Sequence, residues 1–120
     1  MGVRSKGIYE PADPDDGMRV LTTNYWPRGI SKERAGRYMR VLGPTRDLLR
    51  AFKDGAIDWQ EYEAQYLELM RGDEQQAAIR ELAERARHDT VTVMCVCKTD
   101  DQCHRRLLRE LIQQEMEAAS

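Results

Sequence analysis

Apolar and polar positions divide this chain into two short strand-like stretches, a long helical middle, then a strand and a final helix. Residues 3 to 9, VRSKGIY, alternate Val3, Ser5, Gly7 and Tyr9 against Arg4, Lys6 and Ile8, which predicts a weakly patterned strand. The run EPADPDDG, rich in Pro, Asp and Gly, predicts a turn or loop. Residues 18 to 25, MRVLTTNY, are β-branched and apolar enough for a second strand, and Pro27 and Gly29 then end regular pairing.

From Ser31 onward the period is helical. SKERAGRYMRVL predicts a short helix capped by Ser31, broken at Gly43-Pro44. Pro44 suits the first turn of the next helix, which carries Leu48, Leu49 and Phe52. Asp58 and Glu61 stand in capping-box register ahead of Trp59, Tyr62, Tyr66, Leu69 and Met70, one face of an amphipathic helix. Gly72 ends it, and Asp73 starts another whose stripe is Ile79, Leu82, Ala83 and Ala86. Residues 90 to 98, TVTVMCVCK, form the clearest strand, with Val91, Val93, Cys95 and Cys97 on one side and Thr92, Met94 and Val96 on the other. A strand apolar on both sides is central and covered on each face. Thr99 and Gln102 form a further capping pair, opening a helix with Leu107, Leu108, Leu111 and Ile112 buried. This order predicts a small, helix-rich α/β layer fold, a single domain over residues 1–120 around a short, mainly parallel sheet of about three strands.

Composition narrows the function classes. One core is affordable at 120 residues, two are not. Nineteen basic residues against twenty-one acidic ones, a formal net charge of −2, argue against nucleic acid as a partner. No apolar run would span a membrane, and MGVRSKGIYEP lacks the apolar core of a signal peptide. Three cysteines, an odd number, point to a reducing compartment rather than a disulfide framework. The expectation is a cytoplasmic protein with no membrane partner.

The candidate chemistry is concentrated in CVCKTDDQCHRRLL, residues 95 to 108, which holds every cysteine and one of the two histidines. Cys95, Cys97, Cys103 and His104 have the number and type for a Cys₃His metal site. Spacing argues against it. Cys95 and Cys97 would stand roughly 6.5–7 Å apart along one strand face. Cys103 and His104, as neighbours on a helix, would point about 100° apart. Cys97, Cys103 and His104 remain the metal candidates on a mixed arrangement, with no cofactor expected. Cys95 and Cys97 read more simply as small buried hydrophobes of the central strand.

Cys103, in the first turns of the last helix, sits where unpaired N–H groups favour thiolates and anions, with Arg105 and Arg106 following at once. Ligands of α/β sheets collect at this carboxyl rim. A cysteine phosphatase loop is excluded, because KTDDQ after Cys97 carries two carboxylates and no glycine, and is followed by Cys103 rather than an Arg. Cys103 and His104 are the catalytic candidates, and whether the chain is an enzyme stays open. The second motif is the loop after the second strand, where Trp26 could stack, Arg28 could fork onto carboxylate or phosphate, and Gly29 would permit close approach. An edge-plugging Trp26 with Arg28 in an internal ion pair is the alternative.

YEPADPDDGMRVL, WPRGISKE, Leu48-Leu49-Arg50, Asp58-Trp59 with Tyr62 and Gln65-Tyr66, and the terminal Cys-His-Arg turn together resemble the YeaO-like family, a domain of unknown function of the DUF488 type. The likeness covers almost the whole chain in order. It implies a small bacterial or archaeal α/β protein and no particular reaction. The family usually reads Val-Asp-Arg-Leu before Trp-Pro-Arg-Gly, whereas Thr23, Asn24 and Tyr25 stand here for the Asp-Arg-Leu, and Tyr38 replaces a common Trp.

The resulting expectation is a small anionic ligand, a nucleotide or phosphorylated metabolite, bound at the strand rim between the Trp26–Arg28 loop and the Cys103-His104-Arg105 turn. Trp26, Arg28, Gly29 and Arg105 would be the ligand-binding residues. The alternatives are a non-catalytic interaction protein or homodimer, and a metal-binding Cys/His protein.

Overall fold

The computed structural model describes residues 2–97 and 102–118. Four strands form one parallel sheet in the order β1-β4-β2-β3: β1 is Gly2–Gly7, β2 Met18–Leu21, β3 Arg37–Tyr38 and β4 Thr90–Cys95. The helices are α1 Lys32–Ala35, α2 Arg46–Lys53, α3 Trp59–Leu69, α4 Asp73–Ala86 and α5 His104–Ala118, with short 3-10 turns at Pro14–Asp16 and Arg40–Leu42. The expected α/β class and central last strand are both present. The fourth strand was not expected.

It arises where the pattern predicts a continuing helix. Helix α1 stops after one turn because Gly36 takes φ 65°, and a Cβ there would lie 2.4 Å from the carbonyl oxygen of Arg19 on β2. Only glycine lets the chain cross so close over a neighbouring strand in that conformation. Arg37 and Tyr38 then pair with Val20 and Leu21, and the Met39 N–H extends the ladder to the Leu21 carbonyl at 2.9 Å. The caps expected at Ser31 and Asp58 are present, with Ser31 Oγ accepting from Arg34 N and Asp58 Oδ1 from Glu61 N. Helix α2 is instead capped by Thr45, whose Oγ1 accepts from Leu48 N, so Pro44 precedes the helix rather than standing in its first turn.

The sheet has unequal faces. Val3, Val20, Val91 and Val93 point to the larger core, built with Leu42, Tyr62, Tyr66, Leu82, Leu108 and Ile112 under the long helices. Leu21 and Met94 point the other way, to a smaller cluster with Ile8, Ile30 and Ala35. That second face is covered by the segment through α1, and beyond it lies a polar belt centred on Asp16. The Asp16 carboxylate, 1% exposed, accepts from Lys6 Nζ at 3.1 Å and Asp13 N at 3.0 Å and pairs with Arg19. No helix among the described residues is long and apolar enough to cross a membrane.

Because every strand is parallel, all four carboxyl ends share one rim. Regular pairing of β4 ends at Cys95, earlier than the alternation to Lys98 implies, and that of β2 at Leu21, before Thr23 turns the chain. The Thr99 cap and Asp100-Asp101 lie outside the described residues.

Candidate functional site

The sulfurs meet at this rim. Cys95 ends β4 with its side chain on the helix-covered face, and Cys103 immediately precedes α5. Their Sγ atoms lie 2.9 Å apart, and all three cysteines are free thiols. Cys97, half-buried beyond the strand, donates its backbone N–H to Cys95 Sγ at 3.3 Å. The Cys103 carbonyl accepts from Arg106 N at 3.2 Å, so Cys103 is the residue on which α5 begins rather than part of its first turns. This overturns the angular argument against Cys103 and His104 acting together: with Cys103 in non-helical backbone, its Sγ lies 3.8 Å from His104 Nδ1.

His104 is buried and its ring is oriented by β2. Nε2 sits 2.9 Å from the Thr22 carbonyl oxygen and 3.3 Å from Thr22 Oγ1. A carbonyl can only accept, so Nε2 carries the proton and Nδ1 presents its lone pair to the sulfur cluster. Burial lowers the imidazole pKa to about 4, so the ring is neutral at pH 7. The thiols share charge unequally. Hydrogen bonds from Cys103 and Cys95 draw the Cys97 thiol well below its usual range, while the Cys103 thiol, tied to Cys95 and Cys97, is pushed up. At Cys95, the hydrogen bond from Cys103 favours the thiolate, but proximity to Cys97 and burial outweigh it.

Arg105, 2% exposed, turns inward: Nη1 donates to the Cys97 carbonyl at 2.7 Å and lies 3.7 Å from Cys95 Sγ. It braces the chain after β4 and supplies positive charge beside the thiols. Trp26, Arg28 and Gly29 stand elsewhere. Trp26 Nε1 donates to the Ile30 carbonyl at 2.8 Å, its ring meets Tyr38 edge-on, and the Arg28 carbonyl accepts from Tyr9 Oη. Ile30 packs on the smaller core, so this loop covers the sheet face opposite the thiols. The structure therefore brings together Cys95, Cys97, Cys103 and His104 and does not bring Trp26, Arg28 or Gly29 to them.

A cleft of about 110 Å³ opens over the cluster, with Cys95, Cys97 and His104 at its floor and Tyr25, Phe52 and Tyr62 among its walls. Phe52 and Tyr62 pack at 4.8 Å between ring centroids with their planes tilted by 35°, an aromatic wall. Tyr25, Leu49 and Lys53 also line a shallower groove of about 540 Å³, which continues outward past Arg46 and Arg50. Arg46, Arg50 and Lys53 recur at four- and three-residue steps on α2, one exposed basic stripe. Sequence reasoning passed over these cations and the aromatic wall. The stripe was readable from its spacing, but nothing local showed that α2 lies against the cysteine turn.

These features define a small parallel α/β protein with a buried thiol–imidazole cluster at the carboxyl rim of its sheet. The chain belongs to the DUF488-N3a family, described as the active DUF488-N3 subclade, whose family model matches residues 3–116. It is 30% identical over 112 residues to the uncharacterized protein YeaO of Escherichia coli (strain K12), covering 92% of this chain and 96% of that one. The same identity over 112 residues relates it to the uncharacterized protein Rv3073c of Mycobacterium tuberculosis, covering 92% of each. No solved structure matches the chain.

Proposed function

We propose that the rim cleft binds a small anionic ligand, a nucleotide or phosphorylated metabolite. Its charged group lies on Arg46, Arg50 and Lys53, and its flat or apolar part enters beside Phe52 and Tyr62 above the thiols. The observation that carries this reading is adjacency: the inner chamber and the outer groove are both lined by Tyr25, Leu49 and Lys53, which sets the basic stripe, with Asp54 at its end, beside the thiol cluster. A small-molecule site pairs an apolar enclosure with a few oriented polar groups, and this cleft has both parts. Guanidinium forks suit phosphate oxygens better than isolated ammonium groups do. The anion site thus moves from the Trp26–Arg28 loop and Arg105 to α2.

Thermal-shift and calorimetric titration with inorganic phosphate, the four nucleoside 5′-monophosphates and ribose 5-phosphate tests the reading. At least one probe should raise Tm in the unaltered chain and not in the Arg50→Glu/Lys53→Glu variant. These exposed substitutions should leave stability within about 0.5 kcal/mol of the parent. Equal stabilisation of parent and variant, or none by any probe, removes the assignment.

A further inference from the structure

We propose that Cys95, Cys103 and His104, with Cys97 as the fourth donor on the cleft side, bind one thiophilic metal ion of the zinc class. The inference shares the cleft floor with the anion-binding reading but does not rest on it, since its donors are the sulfurs and the imidazole rather than the basic stripe.

The first argument is geometric. One donor atom from each of Cys95, Cys103 and His104 lies within 4.8 Å of the other two, and all three residues are buried; the Cys97 sulfur stands outside this group and has to turn in from the cleft side to become the fourth ligand. Tetrahedral zinc, with Zn–S of about 2.3 Å and Zn–N of about 2.0–2.1 Å, separates its ligands by about 3.6–3.8 Å. Cys103 Sγ and His104 Nδ1 already stand at 3.8 Å. The Cys95–Cys103 pair, at 2.9 Å, has to open by about 0.9 Å to reach that spacing. Movement of that size is available to Cys103, which precedes α5 in non-helical backbone.

The second argument is the orientation of His104. A metal-ligating histidine characteristically gives its other ring N–H to a carbonyl or carboxylate, which holds the tautomer and aims the lone pair at the ion. His104 makes that bond to the Thr22 carbonyl at 2.9 Å, and its Nδ1 faces sulfur.

Charge supplies the third argument. Three thiolates, a neutral imidazole and a divalent ion sum to −1, and the buried Arg105 guanidinium, 3.7 Å from Cys95 Sγ, is positioned to offset it. The donor set of three sulfurs and one imidazole selects zinc or monovalent copper over magnesium or calcium, which prefer oxygen. The sulfurs come from the end of β4 and from the residue preceding α5, and Cys97 lines the cleft beside them.

The test uses the full chain, reduced and stripped of metal under anaerobic conditions, and titrated with Co²⁺ as a spectroscopic probe. One equivalent should produce the visible bands of a tetrahedral site and a thiolate-to-cobalt charge-transfer band, both removed by one equivalent of Zn²⁺. Cys103→Ser, its fold checked by circular dichroism, should bind at least about tenfold more weakly. Cys97→Ser changes a half-buried position and guards against misfolding of the first variant. It should keep a cobalt spectrum with about one third of the charge-transfer intensity lost, as one thiolate of three disappears. Absence of both bands in reduced protein, a Cys95–Cys103 disulfide formed in place of metal uptake, or unchanged Co²⁺ affinity and charge-transfer intensity in either variant overturns the proposal.

Discussion

The imidazole Nε2 of His104 donates to the carbonyl of Thr22, joining the start of α5 to the end of β2 across 82 residues of sequence. Thr22 Oγ1 accepts a weaker contact from the same nitrogen while donating to the Met94 carbonyl at 2.9 Å. Helix, second strand and central strand are therefore pinned at one point beneath the candidate site.

Removing the ring should be costly. His104→Ala leaves a buried carbonyl short of a donor and opens a cavity, and should lower unfolding free energy by about 3 kcal/mol. Thr22→Val keeps the volume and loses only the hydroxyl bonds, at about 1 kcal/mol. The double variant should cost less than the sum, because the two side chains share a contact. Urea unfolding of the four proteins measures the coupling, and strict additivity would show that the Thr22 hydroxyl and the ring act separately.

The Asp16 belt predicts a pH dependence. Burial by itself would raise the Asp16 pKa, but the Asp13 N–H and the Lys6 and Arg19 cations outweigh it and hold the carboxyl below its ordinary value. A depressed native pKa stabilises the fold above the unfolded value of about 3.9, and this contribution is lost as pH falls through the lower native value. Asp16→Asn should therefore cost about 2–3 kcal/mol at neutral pH, below the range for fully buried pairs because Lys6 and Arg19 keep some contact with water. The difference between variant and parent should shrink as pH falls below the unfolded value of about 3.9 and through the lower native one. A gap that stays constant with pH would assign the loss to packing rather than charge.

Gly43 shapes the rim by close approach rather than by unusual backbone. Its φ is −86°, yet a Cβ would lie 2.7 Å from the Thr22 carbonyl oxygen and 2.8 Å from Asn24 N. Gly43→Ala should push the Arg40–Leu42 turn away from the Thr22–Asn24 segment and cost about 1–3 kcal/mol. Thermal denaturation measures the loss, and an unchanged Tm would mean the loop yields freely.

Much of this protein was legible in its sequence. The central strand, the amphipathic helices and the caps at Ser31 and Asp58 depend on local periodicity and on side chains reaching a few residues along the chain, so the pattern from Val91 to Cys95 determined a central strand without knowledge of its neighbours. The family resemblance followed from motifs of the same local kind. The short strand at Arg37–Tyr38 was not legible, because it exists through pairing with β2 and a glycine crossing over Arg19. The sequence also named Cys103 and His104 but misjudged their relation, since one residue of non-helical backbone changes the angle between neighbouring side chains. Tertiary structure alone decided that the Trp26–Arg28 loop covers the opposite face of the sheet, that α2 brings its cations to the cysteine turn, and that Thr22 orients His104. Each of these depends on which face a strand end presents after the chain turns, and that is settled by long-range packing rather than by local pattern.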